Sequence, residues 1–371
     1  MSEDLLIHSM SNFRELILSA LEVAGARRIV EIGAEYGSFT QDLCAYAHRM
    51  QGQLITVDPE PKAAAVEFAD NMRAKTHFRF IKATSLEVLP QLENVDAYIV
   101  DGDHNYYTVK RELELISQML GERPFLVFEH DVGWPLGRRD AYYAPDRIPQ
   151  EYLHPHTLEG VTLDNRGTIP SGFRMCPVAK HEGGPRNGVL TAIDDFLADH
   201  PDLHLDIVPA VFGLGVIYSM SSPWSQKISR LLSPFSKNPL LERLERNRLR
   251  LYLRVLEDDY RAANPGSTER RPSDCCNQIE TNAIASMTPD ELLLEARRLS
   301  KQGDWEKAAC YYQELTKISP DNLQGWLGRW ECSASQGHGV LADLVLEEAV
   351  EHHPDWITRI QAFVSSFNRP M

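Results

Sequence analysis

Asp101, Asp103 and His104 follow directly on residues 95–100, an apolar stretch of strand type. Charged side chains are seldom buried unless they are paired or bind a metal. In an open α/β sheet, chemistry collects beyond the carboxyl ends of the strands. We therefore expect Asp101 and His104 to take part in a reaction, while Asp103 has no assigned role. The alternative is a solvated turn with a helix N-cap, a position that Asp and Asn both favour.

A second polar group, Glu129-His130-Asp131, ends the next strand-like stretch. The ends of neighbouring parallel strands lie about 5 Å apart. Asp131, Asp101 and one of His130 or Glu129 are therefore expected to bind one divalent cation, and carboxylate oxygens with waters suit Mg²⁺. His104 is the candidate general base, because an imidazole with an ordinary pKa of about 6.5 suits that role at neutral pH.

Gly33 and Gly37 stand between a short apolar strand, residues 28–32, and a helix that runs to about residue 50. Glycine allows a tight strand-to-helix turn and lets a ligand approach the backbone. The pattern is Glu31-x-Gly-x-x-x-Gly rather than the G-x-G-x-x-G of dinucleotide-binding loops, so it suits an adenosyl ligand without a pyrophosphate. Asp58, at the end of the second strand, is placed to bind ribose hydroxyls. The alternative is an ordinary strand-to-helix turn.

Strands and helices alternate along residues 10–220. This order predicts an α/β fold with a Rossmann-like, doubly wound, mostly parallel sheet. The last two strands are predicted to form a hairpin. The predicted strands are 28–32, 53–58, 78–82, 95–100, 124–131, 203–208 and 215–220, and the further predicted helices are 10–24, 86–92, 108–120 and 189–200.

Together, the glycine pattern and Asp58 resemble the first motifs of the class I S-adenosylmethionine-dependent methyltransferases. The resemblance covers about residues 25–220. It extends to the metal-dependent O-methyltransferases of the group that includes macrocin-type sugar O-methyltransferases and cephalosporin-hydroxylase-like proteins. In that group an Asp after the fourth strand binds the metal and a basic residue three positions later removes a proton, and Asp101 and His104 match these positions.

The resemblance implies methyl transfer from S-adenosylmethionine to a hydroxyl of a glycosyl or secondary-metabolite acceptor, with Mg²⁺ as a second cofactor. His104 would be the base. Where the family has two carboxylate or amide groups after the fifth strand, this chain has a His-Asp pair. The implied metal ligands are Asp101, His130 and Asp131, and the implied cofactor-binding residues are Glu31, Gly33, Ala34, Gly37, Asp58, Ser85 and Asp101.

Residues 132–187 interrupt the alternation and are rich in Trp, Tyr, Arg, Pro and His. A long irregular insertion next to a site is usually functional, for example as a lid or a substrate loop. The alternative is a disordered excursion, which its bulky side chains disfavour. The residues expected to shape the acceptor pocket are Trp134, Arg138, Arg139, Tyr142 and Tyr143.

The rest of the chain is predicted to be mostly helical. The catalytic domain is expected to span residues 1–221, followed by a basic amphipathic connector at 222–262, a linker at 263–287 and a helical domain at 288–371. The connector helix is either an exposed connector that packs along one leucine stripe or a partner- or membrane-surface helix. Pro320 and Pro354 are 34 residues apart. The helical domain therefore resembles a pair of tetratricopeptide repeats, whose period is 34.

The net charge of -15 argues against a nucleic-acid-binding surface. The acidic first residues and the lack of a long apolar run favour a cytoplasmic protein without a transmembrane segment, acting on a small molecule. The repeat pair predicts packing on the catalytic domain, on a second subunit or on a protein partner. Two other functions stay open: a metal-independent N-methyltransferase or hydroxylase-like enzyme on the same scaffold, and an inert scaffold that recruits a partner through the repeats.

Overall fold

The computed structural model describes residues 8–163, 165–263, 287–335, 342, 345, 346, 348–350 and 353–367. The chain divides into two compact units, Met1–Pro265 and Gly266–Met371. The predicted linker at 263–287 lies outside the described residues, apart from its two end positions.

A seven-stranded sheet forms the centre of the first unit. Its order is β10-β11-β5-β4-β1-β2-β3. The five strands β1 to β5 run parallel, and β11 runs antiparallel both to β5 and to β10. The predicted doubly wound sheet with a final hairpin is thus confirmed. The strands are Arg28–Ile32 (β1), Gln53–Val57 (β2), Phe78–Ile81 (β3), Ala97–Val100 (β4), Leu126–Glu129 (β5), Leu203–Val208 (β10) and Leu214–Ser219 (β11).

Helices cover both faces of the sheet. Alternate strand residues point to opposite faces, so Val30 and Ile29 of β1 enter two different apolar clusters. The first cluster includes residues of α4, α5, α6 and α8, and the second includes residues of α1, α2 and α7. The helices are Arg14–Ala24 (α1), Ser38–Arg49 (α2), Ala63–Met72 (α3), Ser85–Val88 (α4), Tyr106–Leu120 (α5), Val189–Leu197 (α6), Ser225–Leu232 (α7) and Pro239–Ala263 (α8).

The insertion after β5 contains regular structure that the sequence pattern did not predict. It carries two small antiparallel sheets, one formed by β6 with β9 and the other by β7 with β8. Its core residues Val161, Phe173 and Val178 join the first apolar cluster. The insertion is therefore a packed part of the unit. Its strands are His156–Thr157 (β6), Gly160–Thr162 (β7), Asn165–Ile169 (β8) and Val178–Ala179 (β9).

The second unit consists of helices in its described part. Thr288 and Glu291 form a capping box that starts its first helix. Ala308 and Tyr312 are buried in its core, and the repeat assignment stays a prediction. No helix in the described part of either unit is long and apolar enough to cross a membrane. The helices are Pro289–Lys301, Trp305–Ile318, Leu323–Ser335 and Ile357–Phe367.

Candidate active site

The glycine loop lies where β1 and β4 end side by side. Gly33 has a φ of +84°, and a Cβ at this position would lie 2.2 Å from the carbonyl oxygen of Asp101. The Gly33 N–H donates to Val57 O at 2.9 Å, which ties the loop to β2. Gly37, with a φ of +80°, is the N-cap of α2. Both positions of the loop therefore need glycine. At Gly33 the predicted cofactor loop lies directly against the backbone of Asp101.

Asp58 is buried at the end of β2 and binds the backbone of the same loop. Its Oδ2 accepts the N–H groups of Ala34 and Glu35 at 2.9 and 3.0 Å, and its Oδ1 accepts the N–H of Glu60 at 2.8 Å. A carboxylate has about four lone-pair positions, so it can still accept a further hydroxyl. Asp58 thus fixes the loop, and its expected contact with a ribose stays a prediction.

Glu31 and Ser85 were both expected to contact the cofactor, and both are buried. The Thr56 hydroxyl donates to Glu31 Oε2 at 2.8 Å. Burial raises the pKa of Glu31 to about 8, and the hydrogen bond from Thr56 opposes this rise only in part. Glu31 is only 3 % exposed. The hydrogen bond from Thr56 joins β1 to β2, and the expected contacts of Glu31 and Ser85 with the cofactor stay predictions.

Asp101, His130 and Asp131 come together at the ends of β4 and β5. Each offers one ligand atom, and these three atoms lie within 4.8 Å of one another. Asp131 Oδ1 is buried without a hydrogen-bond partner, and the Asp131 backbone has a φ of +57°, which is strained for a residue other than glycine. A buried carboxylate oxygen without a partner is costly unless a cation compensates it. The donor set of two carboxylates and one imidazole therefore fits a divalent cation.

His130 has one ring nitrogen committed to the backbone and the other directed to the site. Its Nε2 lies 2.9 Å from Val211 O, and a carbonyl only accepts, so Nε2 carries a proton. Its Nδ1 lies 2.9 Å from Asp101 Oδ1. Burial disfavours the charged ring, but Asp101 and Asp131 outweigh it and raise the pKa of His130 to about 9. In the neutral ring, Nδ1 would be the free donor for a metal.

The sequence left open whether His130 or Glu129 joins the two aspartates. The structure brings His130 into the group of ligand atoms that lie within 4.8 Å of one another, and among the described residues no atom of Glu129 joins this group. Burial, and then the carboxylate of Glu112, raise the pKa of Glu129 well above its ordinary value. Glu129 is therefore not part of the candidate cation group.

The turn between β10 and β11 holds His130 and was not predicted to matter. Val211, Phe212 and Gly213 have φ values of +44°, +64° and +91°, and this left-handed backbone is strained at the two residues other than glycine. The Phe212 N–H donates to Glu245 Oε1 of α8 at 3.0 Å. Arg248 in turn donates to both oxygens of Glu245 at 2.6 and 2.7 Å. Glu245 thus anchors the turn whose carbonyl orients His130, and no local sequence signal marks it.

His104 lies next to the candidate metal ligands. Its Nε2 is 3.3 Å from Asp131 Oδ2, and both side chains are buried. Asn105, not His104, is the N-cap of α5, since its side chain accepts the Thr108 N–H at 2.9 Å. The helix N-cap of the alternative interpretation is thus present at Asn105, while His104 and Asp101 lie in the candidate site. Asp103 accepts the Thr108 hydroxyl at 3.0 Å and so serves the same cap.

Three of the five expected acceptor-pocket residues keep an exposed or half-buried position. The Tyr143 ring lies 5.7 Å from the His104 ring, and Tyr143 is 50 % exposed. Trp134 packs at 6.2–6.3 Å from the rings of Phe173 and Phe212. Arg138 forms an ion pair with Asp194 of α6 at 2.6 Å. Tyr143 is therefore the member of this set that the structure brings to His104.

Arg139 and Tyr142 are a correction to the expected pocket, because both are fully buried. The Arg139 guanidinium donates to the carbonyl oxygens of Ala179, Arg166 and Gly167. The Tyr142 hydroxyl donates to Asp140 at 3.0 Å and accepts the His154 N–H at the same distance. Their polar groups are thus occupied inside the insertion, and neither can contact an acceptor.

Residues 30–132 match a protein-family model described as a methyltransferase domain. This segment contains β1 to β5, the glycine loop, Asp101, His104, His130 and Asp131. The prediction of a methyltransferase is thereby confirmed for this segment, which is a little over a quarter of the chain. No curated protein matches the chain.

Several solved structures are similar to about half of this chain. A Podospora anserina methyltransferase bound to SAH is 16 % identical, with 57 % of this chain and 79 % of that chain covered and a TM-score of 0.36. A putative caffeoyl-CoA O-methyltransferase from Staphylococcus aureus is 12 % identical, with 56 % and 83 % covered and a TM-score of 0.35. An O-methyltransferase from Bacillus cereus in complex with SAH is 14 % identical, with 59 % and 84 % covered and a TM-score of 0.35. At such TM-scores these similarities support no conclusion about chemistry.

Proposed function

We propose that this protein is an O-methyltransferase that uses S-adenosylmethionine and a divalent cation, Mg²⁺ or Mn²⁺, to methylate a hydroxyl of a glycosyl or secondary-metabolite acceptor. The observation that carries the proposal is the group Asp101, His130 and Asp131, directly beside the glycine loop of a methyltransferase domain. The resemblance implied Mg²⁺, and the two carboxylates in the donor set suit Mn²⁺ as well. A cytoplasmic location and a partner for the helical repeats remain proposals of the same kind.

The S-adenosyl ligand would be held by the loop Gly33–Gly37, with Asp58 beneath it. Asp58 fixes the loop by accepting two of its backbone N–H groups, those of Ala34 and Glu35, so the loop is preorganised before a ligand arrives. The backbone of Asp101 touches the position where a Gly33 Cβ would stand. The methyl donor and the cation site would therefore share Asp101 as their common wall.

The cation would supply Lewis acidity, which lowers the pKa of an acceptor hydroxyl, and S-adenosylmethionine would supply the methyl group. The protein's own part is to position these groups and to move one proton. His104 lies beside Asp131, so it is placed to take the hydroxyl proton. Tyr143 stands near His104 and would limit where the acceptor lies. Positioning and fixed charge would do most of the work, since a direct displacement needs no covalent enzyme intermediate.

Radiolabelled methyl transfer tests the proposal. S-adenosylmethionine with a tritiated methyl group is incubated with catechols, sugars bearing free hydroxyls and primary amines. We expect label on hydroxyl acceptors only, loss of transfer in EDTA, and recovery with Mg²⁺ or Mn²⁺. Asp131→Asn and His104→Gln should each lower kcat by at least about a hundredfold, as expected when a charge-placing or proton-transferring group is lost.

Binding separates this function from its alternatives. A cofactor that binds the folded state must raise the Tm, and we expect a rise with S-adenosylmethionine at millimolar concentration. No thermal shift and no heat of binding would contradict the proposal. Label on amines with full activity in EDTA would favour a metal-independent N-methyltransferase. Cofactor binding without transfer to any acceptor, together with partner binding that needs residues 288–371, would favour the inert scaffold.

A further inference from the structure

The outer surface of α8 combines apolar and basic side chains in a way that the catalytic site does not use. Its inner side is fixed to the first unit: Leu249 and Leu253 are buried in the apolar cluster, and Glu245 anchors the turn at Phe212. The helix is 25 residues long. It therefore presents its opposite side as a rigid surface.

Four large apolar residues on this opposite side are exposed by 54–62 %. At about 100° per residue they fall within an arc of about 60° on the helix, so they form one continuous row. Single exposed apolar residues are common, but an aligned row on one helix marks an interaction surface. We call this row the outer stripe; it consists of Leu240, Leu244, Leu251 and Val255.

Four exposed arginines lie beside the outer stripe in an adjacent arc of about 80°. Within the part of the chain that the structure describes, none of them lies within 4.0 Å of a carboxylate, in contrast to Arg248 and Arg261 of the same helix. Residues 222–255 contain eight Lys and Arg but only two Glu and no Asp, in a chain whose net charge is -15. We call these four the arginine row; it consists of Arg243, Arg246, Arg250 and Arg254.

We propose that α8 docks this protein on an anionic lipid surface, with the outer stripe entering the headgroup region and the arginine row binding lipid phosphates. An amphipathic surface that pairs leucines with arginines has the chemistry of interfacial membrane binding. The basic patch on an acidic protein supplies the charge complementarity, since an anionic leaflet attracts such residues and repels the rest of the chain.

Other occupants fit the same surface less well. Nucleic acid would also bind the arginine row, but it would leave the outer stripe against phosphates. If a second copy of the protein paired antiparallel along the outer stripe, the arginine rows of the two copies would lie on the same side of the pair. Four cations of one copy would then repel four cations of the other. The acidic residues 257–259 follow Val255 in the chain, so they lie beyond the end of the outer stripe.

Vesicle co-sedimentation of the full-length protein tests the proposal. Vesicles contain phosphatidylcholine with or without about a third of phosphatidylserine. We expect binding to the anionic vesicles only, with release at high salt because surface charges are screened. The double variant Leu244→Gln/Leu251→Gln should weaken partition by at least about tenfold, since glutamine keeps the helix propensity but removes the apolar contact. Replacing the four arginines of the row by glutamine should weaken it by at least about a hundredfold.

The matched control is Leu294→Gln, which removes a leucine that is 72 % exposed outside α8 and should leave partition unchanged. Far-UV circular dichroism and Tm confirm that each variant folds. Absence of binding to anionic vesicles, equal binding to both vesicle types, or variants that partition like the wild type would each overturn the proposal. A dimer in analytical ultracentrifugation that Leu244→Gln/Leu251→Gln dissociates, without vesicle binding, would assign the surface to a second copy instead.

Discussion

Glu245→Ala is the substitution that best separates positioning of the cation site from its ligands. Glu245 accepts the Phe212 N–H at 3.0 Å, and the neighbouring Val211 carbonyl holds His130 Nε2 at 2.9 Å. Alanine removes a hydrogen bond to a charged acceptor, which costs about 1.5–3 kcal/mol of unfolding free energy. Loss of the group that orients a metal-binding histidine weakens metal binding by about 10–100-fold. We therefore expect Mn²⁺ affinity to fall within this range.

The assay is titration of the purified full-length protein with Mn²⁺, followed by electron paramagnetic resonance of the free ion. Histidine ¹⁵N–¹H spectra report whether His130 keeps its proton on Nε2. Glu245→Gln retains an acceptor for the Phe212 N–H and should keep most of the affinity. Glu257→Ala is the matched control, because Glu257 forms an ion pair with Arg261 on the same helix without touching the turn.

An unchanged Mn²⁺ affinity in Glu245→Ala, with the protein folded, would refute the coupling from α8 to His130. The same loss in Glu257→Ala would also refute it, because the effect would then follow general destabilisation of the helix. The contacts predict that Mn²⁺ affinity is lost in Glu245→Ala and recovered in Glu245→Gln. They also predict that the His130 signal changes in the variant that loses the affinity.

Gly33→Ala should lower the unfolding free energy by about 3 kcal/mol or more and abolish cofactor binding, because the new Cβ would clash with Asp101 O at a left-handed backbone position. Denaturant unfolding measures the stability and calorimetry measures the binding. A stable variant that still binds the cofactor would contradict the loop geometry. Burial raises the pKa of Glu31 to about 8, so between about pH 4.5 and 8 this carboxyl group holds a proton in the folded protein that it loses in the unfolded chain. Stability should therefore fall as pH rises through that window, and Glu31→Gln should flatten this dependence; equal profiles would exclude the buried carboxyl as its cause. Arg139→Met should destabilise the insertion, because Arg139 donates to three backbone carbonyls. It should leave the Mn²⁺ affinity unchanged. A loss of Mn²⁺ affinity would show that Arg139 contributes to the candidate site.

Local sequence patterns were sufficient to predict the sheet and the edge of the sheet that carries the candidate site. Buried parallel strands are continuous apolar runs, so β1, β4 and β5 could be read directly from the sequence. The ends of adjacent strands must meet, which is why Asp101 and Asp131 were predicted as neighbours. Helix α3 was missed because only Ala65 is buried in it, so its apolar periodicity is weak.

The contacts that refine the site are long-range and leave no local signal. Val211 serves through a backbone carbonyl, which any residue offers, and Glu245 lies 33 residues beyond the turn that it anchors. Arg139 and Tyr142 were assigned to the acceptor pocket because they lie in the irregular insertion that follows the predicted site. Arg139 donates to carbonyls that lie 27–40 residues further along the chain, and Tyr142 accepts the N–H of a residue 12 positions further on, which residue type cannot reveal.

The most direct test of the central claim is anomalous diffraction at the manganese edge from crystals grown with Mn²⁺ and S-adenosylhomocysteine. We predict one manganese peak bonded to Asp101, His130 and Asp131, at about 2.1–2.3 Å from their ligand atoms, with the adenosyl group over the Gly33–Gly37 loop. Adenosyl density elsewhere, or full occupancy of the loop with no manganese between these three residues, would contradict it.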